Sequence, residues 1–432
     1  MTNRTVEPQI EVERVELANG LTLLLSENHS TPSVAFYAVV LTGARFEPDE
    51  QAGLASLVGE LIDEGTTTRS SQQIAEAMES VGARFRSYGN YQTSGVQAAL
   101  LAKDLPLVLE IAADVLMNAS FPEDQFQLHV SRRLAQIKSR LDVPRTQASD
   151  VFNEIVFAGH PQHKPAIGYE ATIKNIKRED LIAFYRRHFV PNNTTLAIVG
   201  DFDKAQVREQ IERLFGKWER DANFARPVVP TLTRQPEPKD KFVQAPKEQV
   251  NIFIGHLGVD RKNPDFYALL VMDTILGSSP GFTSRIPRIL RDEQGLAYTT
   301  FANMTSSAGL DAGRFIAYIG TSPANLKQAL QGLRTEVRRM TTEPVTESEI
   351  ESAKAYLTGN FVFDFQTNAQ VAEFLIEAGL YDLGFDYLKT YPEKIRAVTI
   401  DEVSRVAKKY LAPDALTTVV VGPVDELGNL LV

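Results

Sequence analysis

The chain has 432 residues, 43 % hydrophobic and 23 % charged, with 45 basic against 55 acidic side chains and a formal net charge of −10. At roughly 150 residues per domain this is material for two to three domains with large cores, which excludes a disordered or fibrous chain. An acidic chain without a basic cluster excludes nucleic acid as a partner class, and the absence of cysteine removes disulfides, thiolate metal sites and cysteine nucleophiles.

In chain order, the N-terminal MTNRTVEPQIEVERVE carries no signal-peptide core, and no later apolar run reaches the ~18 residues of a membrane span. Cytoplasm and periplasm both stay open. VERVEL, Asn19-Gly20 and LTLLLSE predict a hairpin, and 33–41 is a run of β-formers. Helical periodicity covers 53–63, 72–81, 105–117 and 124–141.

The first of these helices, within AGLASLVGELIDEGTTT, places Leu54, Leu57, Val58, Leu61 and Ile62 on a core-facing stripe. The opposite stripe is Ser56, Gly59, Glu60 and Asp63. A mid-helix glycine costs about 1 kcal/mol relative to alanine, so something other than helix stability holds Gly59 there. On its own the stripe reads as a solvated face, with a metal at Glu60 and Asp63 the less favoured alternative. In the helix from Asp124, Arg132, Arg133 and Arg140 lie within about a turn of Gln136 on the polar side. His160 and His163 in GHPQHKP have a chelating spacing, but Pro165 and Gly168 favour a turn. His29, His129, His188 and His256 are isolated and read as surface or capped residues.

IKNIKREDLIAFYRRHFVPNNTTLAIVGDFD from Ile173 and IRAVTIDEVSRVAKKYLAPDALTTVVVGPVD from Ile395 match without a gap at an offset of 222. Each reads as helix, loop proline, strand and terminal glycine. The second carries a Thr399/Glu402 capping box, and the first the weaker Lys177/Asp180 pair. FPEDQFQLHVSRRLAQI and VTESEIESAKAYLTGNF repeat more loosely at nearly the same offset. Two matches in the same order indicate a tandem duplication. Five of the 22 prolines fall within 227–246, so that segment predicts an extended linker. The expected organisation is a domain at 1–226, the linker at 227–246 and a second domain at 247–432. Hairpins with separate helices give α+β, each domain a mainly antiparallel sheet with helices covering one face.

The phrase AGLASLVGELIDEGT resembles the active-site helix of the pitrilysin/insulinase-type zinc peptidases, which reads approximately AGLAHFLEHMLFKGT. The resemblance extends along the chain through the duplication, FAGHPQHKPAIG and the glycine-ended strands. It implies two tandem α+β domains forming half of a clamshell, as in the small processing-peptidase-like members that work as dimers. Carried over by position, the zinc histidines of H-x-x-E-H fall on Ser56 and Glu60, and the general-base glutamate falls on Gly59. The third ligand falls on Gln136, 76 positions beyond Glu60. Three ligands, an open water position and a base are needed, so the resemblance implies a degenerate zinc site, no catalytic residue and no cofactor in this chain. An arginine is expected to pair with Glu60 in the metal's stead; arginines pointing to solvent are the alternative.

In ILRDEQGLAYTTFANM the family's substrate-contacting arginine and tyrosine fall on Arg291 and Tyr298. The alternative is a helix-end charge and a strand-initial tyrosine. The loop 276–285 resembles the family's glycine-rich loop only weakly, with two glycines. A lost zinc motif with a retained Arg/Tyr pair implies the non-catalytic subunit of a heterodimeric zinc metallopeptidase. Its partner would be a zinc-bearing homologous subunit, and short unfolded peptides its substrates. The alternatives are a scaffold or assembly subunit, or a self-associating peptide-binding protein.

Overall fold

Gly20 adopts a φ of +88°, closing the Asn19-Gly20 turn. The turn lets β1 (Glu13–Glu16) pair antiparallel with β2 (Thr22–Glu27). The structure, a computed structural model, describes residues 10–234, 237–279 and 284–431. β3 (Ser33–Val40), β4 (Arg84–Gly89), β5 (Ser94–Leu101) and β6 (Thr194–Gly200) complete a sheet of order β1-β2-β6-β3-β5-β4. Within this sheet, among the described residues, only β2 and β6 pair in parallel.

β2 does not alternate: Leu23, Leu24 and Leu25 are all buried. A strand of that kind needs cover on both faces, and the sheet has it. Leu23 and Leu25 enter the core that also contains Leu57 and Leu61 of the motif helix (Leu54–Leu61) and Val108 and Leu116 of the helix Leu105–Asn118. Leu24 points the other way, toward Gly379 of the helix Asn368–Leu380. That helix lies across β3 and β6. It is pinned where Asn368 Nδ2 donates to the Ser33 carbonyl (3.0 Å) and its Oδ1 accepts from Asn28 Nδ2 (2.8 Å). Helices therefore cover both faces, not the single face expected from sequence, because a distant segment supplies the second layer.

The second sheet is built from β7 (Asp240–Gln244), β8 (Val250–Leu257), β9 (Ala297–Asn303), β10 (Arg314–Thr321) and β11 (Thr417–Gly422), in the order β7-β11-β8-β10-β9. Strand by strand this matches β2-β6-β3-β5-β4, with the parallel pair β7–β11 standing where β2–β6 stands in the first sheet. The duplication is thus present in the topology. The helix before β11 starts with Thr399 and Glu402 bonding reciprocally (3.2 and 2.9 Å), whereas before β6 only Asp180 reaches back, to the Lys177 amide (2.8 Å). β7 falls within the proline-rich segment: the stretch between Pro238 and Pro246 lacks proline and supplies an edge strand.

The helix Pro144–Val156 lies on β8 and β11, where Ala148, Phe152 and Val156 pack with Phe253, Val419 and Val421. The compact units are accordingly discontinuous in sequence. One comprises residues 1–137, 164–229 and 362–385; the other comprises 138–163, 230–361 and 386–432. Among the described residues no helix is long and apolar enough to cross a membrane. Phe152 is fully buried, so Phe152→Ala is expected to cost about 3–5 kcal/mol in urea unfolding. A loss under about 1 kcal/mol, the level of an exposed site, would show that this helix is not part of that core.

Candidate functional site

The motif helix begins at Gly53, whose φ of +98° suits glycine. A Cβ there would meet the Ile167 carbonyl at 2.8 Å. Its first amides are capped from outside the helix: the Glu47 carboxylate accepts from Gly53 N (2.9 Å) and Ala55 N (2.7 Å). Lys164, also buried, donates its Nζ to the Glu47 carbonyl (2.7 Å) and to Asp49 Oδ1 (2.9 Å). Glu47 and Lys164 carry no sequence signal of this role, because the cap comes from a residue six positions upstream, between the 3₁₀ turns Ala44–Phe46 and Asp49–Gln51, rather than from the N-cap position.

Burial pushes the Glu47 carboxyl up from 4.5 to about 7, against the pull of its two amide bonds and of Lys164 and Arg133. The folded protein therefore holds a proton that the unfolded chain releases. Stability from this group is full below about pH 4.5 and is lost as the pH rises through about 7. The stability advantage of the native chain over Glu47→Gln should shrink by about 3 kcal/mol between pH 4.5 and 8, read from urea midpoints. A pH-independent difference would contradict the assignment.

The polar stripe of the motif helix is not a solvated face. Ser56 and Gly59 are buried, and Glu60 and Asp63 are half-buried. Arg133, on the helix Glu123–Leu141, is buried as well, with only 2 % of its side chain exposed. Its Nη1 donates to Ser56 Oγ (2.5 Å) and the Ile167 carbonyl (3.1 Å), and its Nη2 to Glu60 Oε2 (2.6 Å). The arginine that pairs with Glu60 is therefore Arg133, and it spans both positions on which the family's histidines fall. Of its neighbours, Arg132 is exposed and Arg140 makes a bidentate pair with Asp150 (2.9 and 2.7 Å). Gln136 is exposed, and Asp63 holds the amide and hydroxyl of Ser87 on β4 (3.3 and 2.7 Å).

Gly59 is explained by packing. A Cβ on it would meet the Tyr88 carbonyl at 2.4 Å and Gly89 Cα at 2.5 Å, and a Cβ on Gly89 would meet the Ala55 carbonyl at 2.7 Å. Two glycines thus bring helix and strand backbones into direct contact. The set does not fit zinc: one carboxylate tied to a guanidinium, one hydroxyl bonded to the same guanidinium, and a glycine facing backbone are not three ligands and a base. Among the described residues no group of three or more histidine, cysteine or acidic side chains could hold a metal ion.

The histidines have structural surroundings. His160 is buried, and its carbonyl lies 2.8 Å from His163 Nδ1 in the turn 160–163. His129 is not isolated but pairs with Glu64 (3.0 Å), and His29 pairs with Asp201 (2.7 Å). His188 and His256 are buried and pushed down to about 4 and about 3 by desolvation; His256 is a capped residue, with Nδ1 2.8 Å from the Leu257 carbonyl and Nε2 accepting from the Ala412 amide (3.2 Å).

In the second unit, Arg291 lies on a π-helical segment (Pro287–Glu293) and Tyr298 on β9, the edge strand. Gly320 pairs with Thr299 and Thr321 with Ala297, so Tyr298 is the extra residue of a bulge. Bulges re-aim side chains, and Tyr298 is 92 % exposed. The Arg291 guanidinium bonds Asp292 (2.8 Å), which raises its pKa, and the Tyr298 phenol adds to that shift, so the two are within electrostatic reach. In the loop 276–285, residues 280–283 lie outside the described residues. At its end Arg285 is buried in a bidentate pair with Glu349 (2.6 and 2.9 Å).

Along the open edge of β4 the first unit holds a cavity of about 670 Å³, lined by Asp63, Glu64, Ile74, Met78, Phe85 and Arg86 among others.

Comparison with known proteins agrees with this architecture. Residues 22–168 match the family model described as Insulinase (Peptidase family M16), and residues 175–357 match the one described as Peptidase M16 inactive domain. An uncharacterized zinc protease of Rickettsia felis is 27 % identical over 425 residues, covering 96 % of this chain and 98 % of the relative. The crystal structure of a peptidase M16 inactive domain from Pseudomonas fluorescens superposes with a TM-score of 0.89 at 22 % identity, covering 98 % of this chain and 100 % of that one. A protease from Helicobacter pylori gives 0.86 at 19 % identity, with coverages of 96 % and 100 %. With residues 22–168 and 175–357 matched by models of one family, and with the duplicated topology just described, the chain belongs to peptidase family M16, the insulinase family.

Proposed function

We propose that this chain is the non-catalytic subunit of a heterodimeric zinc metallopeptidase. A homologous partner carrying H-x-x-E-H supplies metal and base, and this chain supplies Arg291 and Tyr298 to the peptide that the partner cleaves. The observation that carries the reading is the contrast between the two family positions. The motif stripe is consumed by internal bonds to Arg133 and by backbone packing, whereas Tyr298 is presented to solvent by a bulge on an edge strand. The Rickettsia relative's designation as a zinc protease supports proteolysis as the reaction class.

The chemistry assigned to the pair is simple. A guanidinium offers a fixed fork of donors to a peptide carbonyl or carboxylate. A phenol donates to the oxyanion that develops on the attacked carbonyl, where one well-placed donor is worth about 10²–10³-fold in kcat. The edge strand β4 and the cavity beside it give an extended peptide unpaired backbone groups to meet.

In a complex reconstituted with the zinc-bearing partner, Arg291→Ala and Tyr298→Phe together should lower kcat/KM for a short peptide by about 10²-fold or more, with assembly unchanged by gel filtration. Full activity of the doubly substituted complex would remove the main support and favour a scaffold or assembly subunit. A chain that forms only copies of itself would favour a self-associating peptide-binding protein.

A further inference from the structure

We propose that the family's metal position is closed in this chain: Arg133 acts as a built-in cation cross-linking Ser56 and Glu60, and the Gly59–Gly89 contact bars the general-base carboxylate. Restoring the motif letters would therefore not restore a zinc site.

Two independent features point this way. The first is the guanidinium. A structural metal ties together the side chains that ligate it, whereas here one planar fork does so through contacts of 2.5 Å to Ser56 and 2.6 Å to Glu60, one helical turn apart. A third bond, 3.1 Å to the Ile167 carbonyl, fixes the fork from another segment. Only 2 % of the Arg133 side chain is exposed, so the fork is held inside the unit and not at its surface. It joins the motif helix to the helix Glu123–Leu141 but has no Lewis acidity and no vacant position for water.

The second feature is the backbone. Any side chain at position 59 starts 2.4 Å from the Tyr88 carbonyl and 2.5 Å from Gly89 Cα and N. These are backbone atoms of a hydrogen-bonded strand, not flexible side-chain ends, so a glutamate there displaces β4 before its carboxylate reaches anything. At the third-ligand position, Gln136 is exposed.

The test reads metal content and melting temperature, so its outcome is separable from that of the peptidase reading. The variant Ser56→His/Gly59→Glu/Glu60→His/Gln136→Glu is purified with zinc present and measured by plasma mass spectrometry and calorimetry. It should retain no stoichiometric zinc and melt below the native chain. Because that variant could be lost to misfolding, Ser56→His/Glu60→His, which keeps Gly59, is measured beside it and should also fail to take up zinc while Arg133 is present. In the otherwise native chain, Arg133→Met should lower the melting temperature by roughly 5–15 °C, without rescue by added zinc. About one tightly held zinc per chain in either histidine variant, or a melting temperature unchanged by Arg133→Met, would overturn the proposal.

Discussion

Burying a guanidinium is costly unless each face of its charge is met, and the first unit is arranged around meeting that of Arg133. Ser56, Glu60 and the Ile167 carbonyl receive its donors. The same bonds fix the motif helix relative to two other segments, the helix Glu123–Leu141 and the loop before residue 170. Glu47 then caps the first turn of the motif helix, and Lys164 secures the segment that carries Glu47. Remove the arginine and a hydroxyl and a carboxylate lose their shared donor. The helix that carries the family motif is thus held by organic charge and by the direct approach of Gly59 to Gly89.

The two units share one strand topology and differ in what they do with its polar positions. In the first, the stripe opposite the core is buried or half-buried, and Ser56, Glu60 and Asp63 each bond within the unit, Asp63 to the amide of Ser87 on the edge strand. In the second, a single extra residue in β9 turns a phenol outward, within electrostatic reach of an arginine that bonds its neighbour Asp292 at 2.8 Å. Duplication supplied the same scaffold twice, and local backbone irregularities, a glycine pair in one and a bulge in the other, decide which side chains can meet another molecule.

Much of this was legible in the residues. Asn19-Gly20 specified the first turn, the helical stripes located the motif helix and its neighbours, and the repeated helix–strand–glycine unit disclosed the duplication. The identity of Glu60's partner was open among three arginines, since period alone does not say which of them turns inward; Arg133 does, and Arg140 is held by Asp150 instead. Other features depended on long-range contacts that no local pattern encodes. The consecutive leucines of β2 signal cover on both faces, but not that the helix Asn368–Leu380 provides it. The mid-helix glycine was visibly anomalous, yet its cause lies on a strand 30 residues away, at Gly89. Glu47 was invisible because capping at a distance follows from the fold and not from the N-cap position.

The central claim is that this chain works with a zinc-bearing homologue. The most direct measurement is native mass spectrometry of the assembly isolated from the source cells. The account predicts a stoichiometric pair of similar-sized subunits with one zinc, the metal remaining with the H-x-x-E-H subunit when the pair is dissociated. Zinc remaining with this chain, or an assembly containing this chain alone, would contradict it.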